Sequence, residues 1–186
     1  KGIGKIFTHP VLIQEDETSH EIDLRLQLLS FVPGKTNTRT ISLGSAILEP
    51  NSSKELKLPA SFTVLNLGAR LKNKQLHADT YAKIAEQIIE RGFAVLLTYG
   101  PGELELAKQT IARCPQAELA PPTSLQELAF IMSQAVFTVS CDTGPMHIGA
   151  ATGKPILGIF VSTPPLRYGY TNGANRVIDA RDGFKD

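Results

Sequence analysis

The run Asp142-Thr143-Gly144-Pro145-Met146-His147 stands where an apolar stretch (Ala135, Val136, Phe137, Val139) breaks off at Cys141. Thr143 is a type that caps helices, and Pro145 suits a first helical turn. Gly149, Ala150 and Ala151 are small enough to let that helix lie close against a sheet. A strand, a tight turn and a helix start in this order make a site for an anion. The first amides of a helix have no partner within it, and the helix dipole adds partial positive charge. Asp142 falls at the strand's carboxyl end, the edge at which open α/β sheets bind ligands. A capped turn with no ligand would use the same residue types.

Two more groups could supply chemistry to the same edge. Gly68-Ala69-Arg70-Leu71-Lys72-Asn73-Lys74 places three cations within five residues, beside a glycine that permits a sharp turn or close backbone approach. Cations next to such a backbone concavity suit a diphosphate, although a solvated charged loop has the same composition. Tyr99-Gly100-Pro101-Gly102-Glu103-Leu104-Glu105 follows a buried-type run and offers two carboxylates at the start of a helix. A helix dipole alone would favour both acids there.

These groups need elements to hold them. From Phe62 onward, short apolar runs alternate with amphipathic segments. Strands are expected at Phe62–Leu67, Phe93–Tyr99, Val136–Ser140, Pro155–Phe160 and Arg176–Ala180. The Phe93–Tyr99 run is near-continuously apolar, which suits a parallel sheet covered on both faces. Helices are expected at Asp79–Arg91, Glu103–Arg113, Ser124–Met132 and Pro145–Thr152. Ser124 and Glu127 form a capping-box pattern at the third of these. The alternation predicts an α/β, Rossmann-like doubly wound parallel sheet. Upstream, Ser19–Val32 has helical spacing and is stopped by Pro33-Gly34. Lys35–Ser61 is rich in Ser, Thr, Asn and Pro and reads as a linker or boundary. Tyr168 and Tyr170 read as lining or packing residues. His9, His20 and His77 have no metal-ligand spacing, and no metal site is expected.

The Asp142–His147 block, followed by a Gly/Ala-rich helix, the Gly153-Lys154-Pro155 turn and an Ile-rich strand, resembles glycosyltransferase family 9. These are the bacterial lipopolysaccharide heptosyltransferases and their relatives. The similarity runs from about Gly68 to Tyr170. It implies a GT-B enzyme with two Rossmann-like halves. The amino-terminal half binds a glycan or lipid-linked acceptor and carries the catalytic base. The carboxyl-terminal half binds an ADP-heptose-like nucleotide-sugar.

On that resemblance residues 61–186 are the donor-binding domain. Residues 1–60 are a remnant of the acceptor side plus a linker, and the base lies outside this chain. The resemblance assigns donor phosphates to Gly68, Arg70, Lys74 (with Lys72 as substitute), Thr143, Gly144 and His147. It assigns sugar hydroxyls to Asp142. Glu103, or else Glu105, would take the ribose, whose diol a carboxylate accepts well. Thr123 would meet the base. The sequence departs from the family at Leu76, where a Trp is usual, and at Val161-Ser162, where Gly-Pro is usual. A UDP-sugar donor, or a binding module without catalysis of its own, remains an alternative.

Composition narrows the partners. The chain has 186 residues, 42% of them apolar, with 19 Lys+Arg against 18 Asp+Glu. A net charge of +1 gives no electrostatic footprint for nucleic acid, so none is expected as a partner and anion binding has to be local. Two cysteines make no disulfide framework and fit a reducing compartment. With no signal peptide or membrane-length apolar run in view, a cytoplasmic protein is expected, in peripheral contact with the inner membrane through the other half. Because the sequence begins at Lys1, it reads as a fragment or as a half-enzyme paired with a separate acceptor-binding chain. No cofactor is expected.

Overall fold

The computed structural model describes residues 18–29, 41–44, 57–69 and 71–183. The elements are α1 (Glu21–Leu29), β1 (Phe62–Asn66), α2 (Ala78–Ile89), β2 (Ala94–Thr98), α3 (Leu104–Arg113) and β3 (Glu118–Leu119). After these come α4 (Leu125–Gln134), β4 (Thr138–Cys141), α5 (Gly144–Ala151), β5 (Ile156–Phe160), α6 (Pro165–Tyr168) and β6 (Arg176–Asp179). Among the described residues six strands form one sheet in the order β3-β2-β1-β4-β5-β6. Every pairing is parallel. This is the expected doubly wound α/β fold. The order reverses direction between β1 and β4, so the loops leaving those strands part there and open a crevice.

The four central strands, β2, β1, β4 and β5, form because both of their faces are buried. In β1 all five residues are buried, and Val64 and Leu65 point to opposite sides. Leu65 joins Leu97, Val139 and the α2 residues Tyr81 and Ala85 in one cluster. Val64 joins Leu96 and the α4 residues Leu128, Ile131 and Met132 in another. A third cluster, Met146, Ala150, Ile156 and Phe160, seats α5 on β5. Gly149 makes that seat possible, since a β-carbon there would lie 3.0 Å from Ile156 Cδ1. The small residues therefore bring α5, and with it its amino terminus, close to the sheet.

The ends of elements moved where local bonding overrode periodicity. The capping box forms as expected, with Ser124 Oγ accepting from Glu127 N at 3.2 Å and Glu127 Oε2 accepting from Ser124 N at 2.7 Å. The helix so started runs on to Gln134, so β4 begins at Thr138 rather than Val136. Two-residue β3 is too short to have a pattern, and α6 uses Pro165 in its first turn. Helix α1 docks on α6, with Glu21 Oε2 3.3 Å from Arg167 Nη2 and His20 Nε2 3.0 Å from Gly169 O. Residues 30–32 of the expected first helix lie outside the described residues. Cys114 and Cys141 are free and buried. No described helix is long and apolar enough to cross a membrane.

One flaw in this packing gives a test. Thr63, the second residue of β1, buries a hydroxyl that has no partner among the described residues. Replacing an orphan hydroxyl with a methyl of the same shape removes its desolvation cost. Thr63→Val is therefore expected to raise stability by about 1 kcal/mol in urea unfolding. A loss of stability would mean that the hydroxyl is bonded after all.

Candidate active site at the switch point

Helix α5 starts without a side-chain cap. Thr143 sits at the cap position in extended geometry, but its hydroxyl turns back and donates to Cys141 O at 3.3 Å. The expected capping by Thr143 is therefore corrected. Met146 N bonds Thr143 O at 3.0 Å, and Pro145 has no amide hydrogen. The amides of Thr143 and Gly144 are left without a protein acceptor among the described residues. Both residues line a cleft of about 500 Å³, and the positive end of the α5 dipole lies at this helix start.

The next residue back, Asp142, is 4% exposed yet carries a carboxylate. Three side chains compensate it. Lys74 Nζ lies 2.6 Å from Oδ2 and also donates to the Asp142 carbonyl at 3.3 Å. Thr163 Oγ1 donates to Oδ2 at 2.5 Å. His147 Nε2 faces Oδ1 at 3.9 Å. His147 is held below its ordinary value chiefly by burial, with Lys74 and His20 adding to it against the pull of Asp142. A second cavity of about 300 Å³ lies over this group, lined by Lys74, Asp142, Thr143, Gly144, His147, Thr163 and Tyr168. The two cavities share Lys74, Asp142, Thr143 and Gly144.

On the other side of the cleft the turns after β1 and β2 are tied by Glu103. Its Oε2 accepts from Gly100 N at 2.7 Å, and its Oε1 accepts from Gln75 Nε2 at 3.4 Å. Gln75 also donates to Ala69 O at 2.7 Å. The carboxylate rests against Gly68, where a β-carbon would come within 2.5 Å of Oε2. Below it, buried Asn66 joins three strands. It accepts from Thr98 Oγ1 at 3.1 Å and donates to Gly68 O at 3.3 Å and Ser140 Oγ at 3.4 Å. Thr123, with Ser124 and Leu125 after β3, closes the cleft on its outer side.

The structure thus brings Gly68, Lys74, Glu103, Thr123, Asp142, Thr143 and Gly144 onto one cleft, and His147 onto its neighbour. Lys72 is exposed on a short 3-10 turn and lines neither cavity. Glu105 is exposed on α3, where it accepts from Gln109 at 3.3 Å. Arg70 lies outside the described residues. Asn66 and Thr163 belong to the site and Gln75 stands behind Glu103, none of them read as functional; Tyr170, read as lining or packing, lines neither cavity and instead bonds His147 Nδ1. For Asn66 the signal was a polar residue closing an apolar strand. For Thr163 it was a place just after the last core strand.

The Gly68–Glu103 contact can be tested as a coupling. Gly68→Ala would push the carboxylate off Gly100 N and is expected to cost about 1–3 kcal/mol of unfolding free energy. In a Glu103→Ala background the same change should cost much less. Additive effects in that cycle would show that the two residues do not meet.

Comparison with known proteins fits this arrangement. The sequence model described as glycosyltransferase family 9 (heptosyltransferase) matches residues 16–182. Lipopolysaccharide heptosyltransferase 3 of Escherichia coli K12 is 34% identical over 107 residues, which are 55% of this chain and 31% of that protein. Lipopolysaccharide heptosyltransferase 1 of Pseudomonas aeruginosa is 29% identical over 136 residues, 73% of this chain and 38% of that protein. This chain spans about a third of the length of these curated relatives. In fold it matches the solved E. coli heptosyltransferase WaaC with ADP-2-deoxy-2-fluoro heptose. That match has a TM-score of 0.71 at 21% identity, over 94% of this chain and 53% of that one. The family 9 glycosyltransferase of Veillonella parvula gives a TM-score of 0.68 at 18% identity, with 94% and 52% covered. With its matched span running through the sheet, the cleft and the α5 start alike, the chain belongs to glycosyltransferase family 9.

Proposed function

We propose that residues 61–186 are the donor-binding domain of a heptosyltransferase-like glycosyltransferase of cell-envelope glycan synthesis, and that the donor is ADP-heptose or a close analogue. The observation that carries this reading is the pair of unpaired amides at Thr143 and Gly144 facing the same space as Lys74. A diphosphate laid across the α5 start would meet two N–H donors, a cation and the helix dipole at once. The two cavities on either side then divide the donor. The larger one, with Glu103 at its floor and Thr123, Leu125 and Leu128 at its wall, suits a nucleoside. The smaller, between Asp142, His147 and Thr163, suits the sugar.

The chemistry follows from that placement. When the glycosidic C–O bond breaks, negative charge collects on the departing diphosphate oxygen. Donors fixed beforehand around that oxygen stabilise the charge without having to reorganise. Lys74, the two amides and the α5 dipole have that role. Asp142 Oδ1, facing the smaller cavity, would accept from sugar hydroxyls and orient the anomeric carbon. The acceptor and the base that deprotonates it belong to the other half of the enzyme, with residues 1–60 a remnant of that half and a linker. We place the enzyme on the cytoplasmic side, where nucleotide-sugars are made.

Calorimetric titration with ADP and with UDP tests the reading. ADP is expected to bind and UDP to bind more weakly. Lys74→Ala should weaken ADP binding about 5- to 150-fold, corresponding to about 1–3 kcal/mol for a lost charge-assisted contact. Asp142→Asn should weaken both, and the intact nucleotide-sugar more than ADP, because the sugar loses its acceptor in addition to the tie that holds Lys74. The chain by itself is expected to transfer no sugar. No response to either nucleotide, or full transfer by this chain alone, would sink the assignment.

A further inference from the structure

We infer that Tyr170 is a positioning residue for His147: its hydroxyl donates to Nδ1 and so fixes the imidazole with its single proton on Nε2, directed at the cavity beside Asp142. The proposal rests on the diphosphate reading for its function but on local geometry for its chemistry. His147 Nδ1 lies 2.7 Å from the Tyr170 hydroxyl, and the rings meet edge to face at 5.6 Å and 83°. The opposite nitrogen, Nε2, lies 3.9 Å from Asp142 Oδ1.

That second distance decides which way the hydrogen bond runs. A bare Nε2 would turn its lone pair towards a carboxylate, whereas an Nε2–H turns a positive hydrogen towards it. The buried carboxylate therefore selects the Nε2–H form, and Nδ1 is left as an acceptor that only the phenol can satisfy. Tyr170 keeps the proton it needs for this. Burial, and then the Asp142 charge, push its ionisation above the ordinary range.

Tyr170 is itself held in place. Its ring packs on the Met146–Phe160 cluster and lies 6.1 Å from the ring of His20. His20 has a fixed tautomer of its own. Its Nδ1 accepts from Ile22 N at 3.1 Å, so its Nε2 donates to Gly169 O at 3.0 Å.

The consequence concerns what the ligand meets. Burial disfavours the charged form of His147, so the neutral ring is the form whose hydrogen bonding matters. A neutral imidazole offers a phosphate either a donor or a repelling lone pair, depending on which nitrogen holds the proton. Asp142 biases that choice in favour of the donor, and Tyr170 secures it by donating to the bare Nδ1. His147 then adds an N–H to those of Thr143, Gly144 and Lys74 around the same oxygens. Sequence spacing hides this, since the two residues are separated by 23 positions and lie on different elements.

Multiple-bond nitrogen–proton NMR on the uniformly labelled 186-residue chain at pH 7.5 reads the tautomer directly. The His147 signals are assigned by their loss in His147→Gln. The wild-type ring should show an unprotonated Nδ1 and a protonated Nε2. In Tyr170→Phe the two nitrogen shifts should move towards each other, and ADP affinity should fall about 2- to 10-fold, as for one lost hydrogen bond. A proton on Nδ1 in the wild type overturns the inference, even if the variant fails to fold. So does a Tyr170→Phe chain that keeps either the wild-type tautomer or the wild-type affinity. If the wild type binds no ADP, the donor reading fails separately, and the tautomer still decides whether Tyr170 holds His147 as described.

Discussion

A carboxylate buried to 4% exposure is the constraint on which the site depends. Taking the Asp142 charge out of water is costly, and a buried charge persists only where close partners and hydrogen bonds compensate it. Those partners come from three different places. Lys74 arrives from the turn after β1, Thr163 from the loop after β5, and His147 from the second turn of α5. Asp142 also stands immediately before the positive end of α5. The need of one residue thus draws together the segments that a ligand would touch. If the carboxylate were absent, the turn carrying Lys74 would lose its main tie to β4.

The sheet order supplies the space and the ion pair supplies its floor. Because β2 and β3 lie to one side of β1 while β4, β5 and β6 lie to the other, the loops at the carboxyl edge diverge between β1 and β4. Asn66 spans that gap from below, bonding to Thr98 on β2 and Ser140 on β4. The crevice is therefore held at a fixed width by buried hydrogen bonds rather than by the loops themselves. Above it, Glu103 ties the β1 and β2 turns together as Lys74 ties the β1 turn to β4. Both ties start in the segment 68–75, which makes that short turn the keystone between the two cavities.

How much of this was legible depended on the range of the interaction. The four central strands were readable because both faces are buried, and a largely apolar run has few other uses in a chain of this composition. The start of α4 was readable because a capping box is local, three residues from donor to acceptor. The choice between Glu103 and Glu105 was not. Both stand in the first helical turn, about 200° apart around the axis, and periodicity does not say which one faces the sheet edge. The choice between Lys72 and Lys74 turned on a single 3-10 turn, whose hand and phase no apolar pattern records. Thr163 and Tyr170 were harder still. Each acts through a side chain some twenty residues away, and that pairing exists only after β5 and α6 have packed.

The α5 start shows why local rules fail where they do. A threonine at the cap position ordinarily accepts from the second or third amide of its helix and stabilises it by about 1 kcal/mol. Here the Thr143 hydroxyl bonds Cys141 O instead, while the amides of Thr143 and Gly144, which such a cap would not reach, have no protein acceptor among the described residues. Proline at the next position removes one further donor without creating a bond. The short helix therefore depends on its packing against β5, through Gly149 and the Met146 cluster, for stability that a capped helix would draw from its own end. Departures from local optimum concentrate where a protein keeps groups free for a partner. An uncapped helix start, a cation drawn to its side and a carboxylate kept from water beneath it are three such departures within one cleft, and an anion laid across the amides would relieve the first of them.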